Sequence, residues 1–300
     1  MGFSYLMSLI LRGQWMIAPT NIPQMLDIVS KMIDGRGEDY RNFMKGPDDN
    51  VKSVVMTHEG TTMSSGSKGY TDAPAGSIAI IPLKGTMTKE DTWCQDGTQA
   101  CADAIRQAAD SPNIVGVVLQ IDSPGGSVDA IAPVAQAIQY LQSKGKSIVA
   151  NCDLCASAAY YAATYCDEIM ADNNISAEFG SIGVMMSFRD MSGYEEKNGV
   201  KTHTIYSNLS PDKNKGYMDA LQGNYELIQS EALDPLAAKF QAQVKDRRKG
   251  LDMSADGIIS GKMFFAEDAL KNGLIDGIGD LAAACSRVKD INNINSYYKN

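Results

Sequence analysis

An almost unbroken apolar run, Ile114-Val115-Gly116-Val117-Val118-Leu119-Gln120-Ile121, feeds straight into Asp122-Ser123-Pro124-Gly125-Gly126-Ser127. A helix-like stretch follows over residues 128–143. Such a run, closed by a Pro-Gly-Gly turn, reads as a buried strand delivered into a tight turn and a helix. The pattern then repeats. Residues 147–151 read as a strand, which passes through Cys152-Asp153-Leu154-Cys155-Ala156 into an Ala-rich helix over residues 157–165. A strand over residues 77–83 and a helix near 95–110 precede both units. Strands alternating with helices predict an α/β fold with a parallel sheet core and flanking helices.

Two places in this framework could carry chemistry. A Gly-Gly pair lets backbone approach a ligand closely and frees N–H groups to point outward. Such donors can bind an anion at a helix N-terminus or hold a tetrahedral oxyanion; a plain tight turn is the bland alternative. Ser157 stands at a strand-to-helix junction with only small neighbours, Ala156, Ala158 and Ala159. Small neighbours leave room for a substrate, and a helix N-terminus favours developing negative charge. An isolated serine there could equally be an N-cap.

Composition removes several function classes. A net charge of −9 argues against nucleic-acid binding, which needs basic patches. No apolar run is long enough to span a bilayer, and the short stretch at residues 3–11 lacks a basic segment before it, so neither a membrane anchor nor a secretory leader is expected. The six cysteines fit a reducing cytoplasm. Cys152 and Cys155 have the spacing of a redox or zinc pair, but no second close pair completes a site, so they are expected to be small buried residues, with no metal and no cofactor. Histidine chemistry has two candidates only, His58 in a polar Gly/Ser-rich stretch and His203 in the strand-like alternation of residues 201–205; both are expected to be structural or solvated.

Several segments together resemble peptidase family S49, the signal peptide peptidase A type and its phage-encoded relatives. The resemblance covers roughly residues 76–281 and rests on Ser123-Pro124-Gly125-Gly126-Ser127-Val128, on Ser157 with Tyr160-Tyr161, and on Cys166-Asp167-Glu168-Ile169. Phe179-Gly180-Ser181-Ile182-Gly183-Val184, Gly261-Lys262-Met263-Phe264 and Gly273-Leu274-Ile275-Asp276 continue it in the expected order. The resemblance implies a ClpP/crotonase-like fold and a serine nucleophile, Ser157, with a lysine general base instead of a Ser-His-Asp triad. It places that base at Lys213, with Lys215 as competitor, because the glycine that commonly precedes the lysine is missing here. Ser181 would hydrogen-bond the lysine amine, and the backbone N–H groups of Gly125, Gly126 and Ala158 would hold the oxyanion. A lysine can be a base only when neutral, which burial in apolar surroundings makes possible.

The same resemblance implies polypeptide substrates, either scaffold and capsid proteins of a phage prohead or unfolded peptides, and assembly into a homo-oligomeric ring in the cytoplasm of a bacterial host. A peptidase of signal-peptide remnants, an acyl-CoA enzyme on the same fold and an inactive assembly protein are the alternatives. The chain ends soon after the Gly273 motif, so a scaffold is expected to be a separate product or absent. Residues 1–75 are expected to be an N-terminal helical segment (helix 21–32) plus a flexible linker over 57–75 that could be processed, and residues 76–300 the catalytic domain. Gln14-Trp15-Met16-Ile17-Ala18-Pro19 resembles the N-terminal segment of phage members of the family. Residues 217–248 form an amphipathic stretch interrupted by Pro235, suited either to ring assembly or to packing within one subunit.

Overall fold

Side chains along the central strands alternate between two apolar layers, and that alternation organises the molecule. The computed structural model describes residues 14–17, 54–57, 62–64, 70–92, 96–188 and 190–299. In chain order the strands are β1 (Gln14–Ile17), β2 (Val54–Met56), β3 (Thr62–Ser64), β4 (Ser77–Lys84), β5 (Ile114–Ser123) and β6 (Gly125–Ser127). They continue with β7 (Ser147–Ala156), β8 (Glu168–Ala171), β9 (Glu178–Gly180), β10 (Met185–Met186), β11 (Met263–Phe265) and β12 (Gly277–Ile278). The helices are α1 (Thr98–Asp110), α2 (Ile131–Ser143), α3 (Ala158–Ala163), α4 (Ser192–Lys197), α5 (Lys215–Leu221), α6 (Glu226–Ile228), α7 (Asp234–Arg247), α8 (Ala266–Lys271) and α9 (Leu281–Lys299).

The main sheet runs β11-β9-β7-β5-β4-β2-β3, with β8 beside β7 and β12 beside β8. β4, β5, β7, β8 and β9 are mutually parallel, whereas β2, β3 and β11 add antiparallel edges. The expected α/β class with a parallel core is therefore present. Continuous apolar runs are what a parallel sheet requires, because helices cover both of its faces. On one face Ala79, Ile81, Val117, Leu119 and Ile121 pack with Ile105 and Ala108 of α1 and Val134 and Ile138 of α2. On the other face Ile78, Ile80, Val118 and Val149 meet Ala284, Cys285 and Val288 of α9. Gly116 makes that second contact close, since a Cβ there would strike the Val288 side chain and the Ser147 carbonyl. Asn292 of α9 then clamps two strands: its amide donates to the Val115 carbonyl at 2.9 Å and accepts from the Ser147 hydroxyl at 2.7 Å.

Several expectations need correction. The helix expected from residue 128 starts with a 3-10 turn, Val128–Ala130, before α2. The strand expected to stop at residue 151 continues to Ala156, because β7 changes partner along one edge: residues 149–152 pair with β8 and residues 154–156 with β9. The alternation at residues 201–205 forms no strand; these residues are exposed. Residues 217–248 are several elements, with a break at Gly223, which adopts a positive φ of 83°. A π-turn, Gln229–Leu233, leads into α7, where Pro235 occupies the first turn. A proline there lacks the N–H for an i−4 bond and would crowd the preceding carbonyls, so a widened turn accommodates it.

The stretch expected to be a bare linker contributes β3, which pairs with β2 on the β4 edge, and Tyr70, which is buried. The expected helix at residues 21–32, His58 and Cys94 lie outside the described residues.

Candidate active site

Two parallel strands, β7 and β9, end side by side. Ala156 of β7 pairs with Gly180 of β9, and the next residue on each strand is a serine, Ser157 and Ser181. Both serines adopt positive φ, 54° and 52° respectively, a conformation that costs an L-residue free energy and recurs at functional sites. The Ser157 N–H donates to the Gly180 carbonyl at 2.8 Å, and the Ser181 N–H donates to the Lys262 carbonyl at 3.0 Å. Gly180 itself has φ 126°, and a Cβ there would collide with the Lys262 carbonyl, so only glycine fits. The Gly-Ser at 180–181 and the residues just before β11 thus form one backbone-locked unit.

Ser157 stands at the N-cap position of α3 but its hydroxyl makes no capping bond to the helix. The N-cap alternative is therefore not how this hydroxyl is used. The residue is 1% exposed. The first N–H groups of a helix have no partner within it, and Ala158 supplies the first of them. α3 is anchored from below: the buried Tyr160 hydroxyl donates to the Leu274 carbonyl at 2.7 Å. The segment that provides this carbonyl is held in turn by Asp276, whose carboxylate accepts from the Ile169 N–H at 2.8 Å and from Arg248 at 2.7 Å. The Gly273-Leu274-Ile275-Asp276 motif thus supports the helix that carries Ser157. Burial pushes the Tyr160 hydroxyl far above its ordinary range, so it stays a neutral donor.

The Gly-Gly turn is more committed than its sequence implied. Gly125 and Gly126 belong to the short strand β6, against which α3 packs. The Gly125 N–H donates to the Ser123 hydroxyl at 3.2 Å. The Gly125 carbonyl and the Ser127 N–H are taken by the backbone of Met87, at 2.8 and 2.9 Å. The N–H and C=O of a strand residue point opposite to those of its neighbours, so those of Gly126 face the other edge. There β1 pairs with β6, with Met16 opposite Gly126. Gly126 therefore faces β1 and serves strand pairing in this structure. A Cβ on Gly126 would strike the Met87 backbone, which explains the glycine. Met87 was not foreseen because it contributes only main chain, which leaves no side-chain signature.

Lys213 is not brought against either serine. It is exposed in a turn, its N–H donating to the Ser210 carbonyl at 3.2 Å, and Lys215 opens α5 and is exposed too. α5 packs beside β10 through Tyr217 and Phe188, whose ring centroids are 5.2 Å apart. A cavity of about 460 Å³ opens there, lined by Met186, Phe188, Ala220, Leu221 and Tyr225 among others. His203 lies in the exposed approach to this turn. Cys152 and Cys155 are both fully buried, and burial pushes the Cys152 thiol up, away from reactivity. Among the described residues no group of His, Cys, Asp and Glu could hold a metal ion. No helix among them is long and apolar enough to cross a membrane.

Comparison with known proteins places this geometry in context. Protease 4 of Salmonella typhi is 28% identical over 225 residues, which are 74% of this chain and 36% of that protein. The capsid assembly protease C of Escherichia phage lambda is 26% identical over 219 residues, 71% of this chain and 49% of that protein. The chain thus spans about a third to a half of the length of these relatives. Among solved structures, a membrane-bound stomatin-specific protease in complex with a substrate peptide aligns at 17% identity with a TM-score of 0.41, covering 69% of this chain and 77% of that one. An enoyl-CoA hydratase/carnithine racemase from Magnetospirillum magneticum aligns at 13% identity, also with a TM-score of 0.41, covering 74% and 72%. Likenesses of that size add nothing to the topology described above. The model of peptidase family S49 matches residues 139–295, more than half of the sequence, and includes both serines and their supporting motifs; the chain belongs to peptidase family S49.

Proposed function

We propose that the chain is a serine endopeptidase in which Ser157 is the nucleophile and Lys213 the general base. The observation that carries this reading is Ser157 itself: buried, at positive φ, free of a capping role, and locked beside Ser181 at the ends of two paired strands. The neutral Lys213 amine removes the Ser157 hydroxyl proton as the oxygen attacks a peptide carbonyl. The N–H groups of Ala158 and Gly125 receive the oxyanion, Gly125 turning its donor from Ser123 to the substrate. Protonated Lys213 then delivers its proton to the leaving amine, and water hydrolyses the acyl-enzyme. Ser181 positions the lysine amine.

A lysine becomes a base through burial, and the single chain leaves Lys213 in the open. The reading therefore requires cover over the 191–225 region, and a second copy of the chain in a homo-oligomer supplies it. Ile205 and Leu209, each 92% exposed, flank this turn and are the apolar surface that such a contact would bury. Polypeptides are the substrate class. The lambda relative's name, together with the family, favours capsid or scaffold proteins in a bacterial host, over peptide remnants.

Cleavage of a denatured model protein by wild type and Ser157→Ala, at matched oligomeric state, tests the reading. Cleavage by wild type alone supports it, with a loss of at least about a thousandfold in the variant. Equal cleavage by both removes Ser157 as nucleophile.

A further inference from the structure

The small sheet β10-β1-β6 lies apart from the main one and has an unusual composition. Its outer strands are the two borders of the candidate site: β6 opens with the Gly125-Gly126 turn, and β10 follows Ser181 closely in the chain. Its central strand, β1, comes from far away in the sequence. β1 runs antiparallel to both, with Trp15 opposite Ser127, Met16 opposite Gly126 and Ile17 opposite Gly125 on one side. On the other side Gln14 lies opposite Met186 and Trp15 opposite Met185.

The edge of β6 that β1 occupies is the only one left to it, since Met87 already binds the other. With Gly126 directing its polar groups at β1, Met16 is the hydrogen-bonded partner on that side, and the alternation of a strand then turns the polar groups of Trp15 towards β10. Without β1, Gly126 and β10 would present two facing strand edges with unmet donors and acceptors, separated by the width of one extended chain. Such a gap accepts any polypeptide in extended form through main-chain bonds, which is recognition by strand addition. Ile17 is the β1 residue opposite Gly125, so the occupant reaches the backbone turn next to Ser157.

We propose that the groove between β6 and β10 is the strand-accepting site for polypeptide, and that residues 14–17 are its resident occupant, keeping other polypeptides out until they are displaced. Calling the excluded ligand a substrate rests on the peptidase reading; the occupancy itself does not. The free energy that holds β1 in place is subtracted from the affinity for any competing chain, because only the fraction of molecules with an empty groove can bind.

The test uses the full chain. Met16→Pro removes the N–H that faces Gly126 and leaves the main sheet untouched; Met16→Ala keeps it. Both are made in the Ser157→Ala background, and a fluorescent peptide carrying residues 11–20 is titrated by anisotropy, with thermal unfolding as the check on folding. The expected result is about tenfold tighter peptide binding in Met16→Pro than in Met16→Ala, the weight of one or two main-chain hydrogen bonds. Exchange of the Gly126 amide hydrogen should accelerate in the same variant. With Ser157 present, Met16→Pro should cleave a denatured protein faster than wild type, and the free peptide should suppress that gain. Equal peptide affinity and equal Gly126 exchange in folded Met16→Pro and Met16→Ala overturn the proposal. A shift in binding with no cleavage by any variant overturns the peptidase reading instead and leaves the occupied groove standing.

Discussion

The two halves of the proposed dyad sit in opposite kinds of structure. Ser157 follows the end of a buried parallel strand, at the start of a helix tied down by Tyr160 and the Asp276–Arg248 pair. Lys213 lies in a region, residues 191–225, that holds only short helices and exposes Met191, Tyr194, Val200, Ile205, Leu209 and Tyr225. The surroundings of Ser157 are made of sheet and core within one chain. Around Lys213, by contrast, large apolar side chains stand exposed among the described residues. If the proposed dyad is right, Ser157 is set in place by folding, and Lys213 needs cover that the single chain does not give it.

That contrast can be broken or sharpened by substitution. The largest effect should come from Lys213→Met, which removes the base: cleavage of a denatured protein should fall by about 10²–10⁴-fold, while Lys215→Met stays close to wild type. Loss in Lys215→Met instead moves the role two residues along. Gly180→Ala should be next. It forces a Cβ onto the Lys262 carbonyl at a φ of 126°, and denaturant unfolding should show a loss of about 3 kcal/mol together with loss of cleavage. An unchanged midpoint would show that the serine pair is not locked through Lys262. Tyr160→Phe leaves the buried Leu274 carbonyl without its donor and should cost about 1–2 kcal/mol of stability.

Leu209→Ser probes the other half. In an isolated chain it should change stability by less than about 0.5 kcal/mol, since the side chain is 92% exposed. If association buries it, sedimentation should show a smaller species and cleavage should fall in parallel. An unaltered oligomer would place the contact elsewhere. The smallest effect concerns Asp167, which burial holds above the usual carboxylate range despite its bond from the Ile148 N–H. On raising pH, the unfolded chain releases this proton before the folded one does, so the Asp167 contribution to stability falls as pH rises through that interval. Asp167→Asn should flatten the wild-type slope there, read from denaturant midpoints across the acid range.

Much of the fold was legible because its signals are local. Residues 114–121 are continuously apolar, and a parallel strand covered on both faces needs that. Ser157 at a strand–helix junction with alanines around it was legible for the same reason, whereas the Gly180-Ser181 pair stood out only through the family resemblance. The true extent of β7 was not legible, since residues 152–156 are held by a change of partner from β8 to β9 that no local pattern encodes. Residues 201–205 misled in the opposite sense: they alternate like a strand, but they are exposed and pair with no strand among the described residues.

The sequence by itself determined the α/β class, the order of the core elements, the nucleophile candidate and the family to which its motifs point, all through periodicity and short motifs. The tertiary structure alone decided what the main chain does. It placed the Met87 backbone on Gly125 and Ser127, directed Gly126 to pairing, laid residues 14–17 between β6 and β10, and left Lys213 exposed. Main-chain hydrogen bonds are identical for every residue type except proline, so their partners are set by three-dimensional neighbourhood and leave no mark on the sequence.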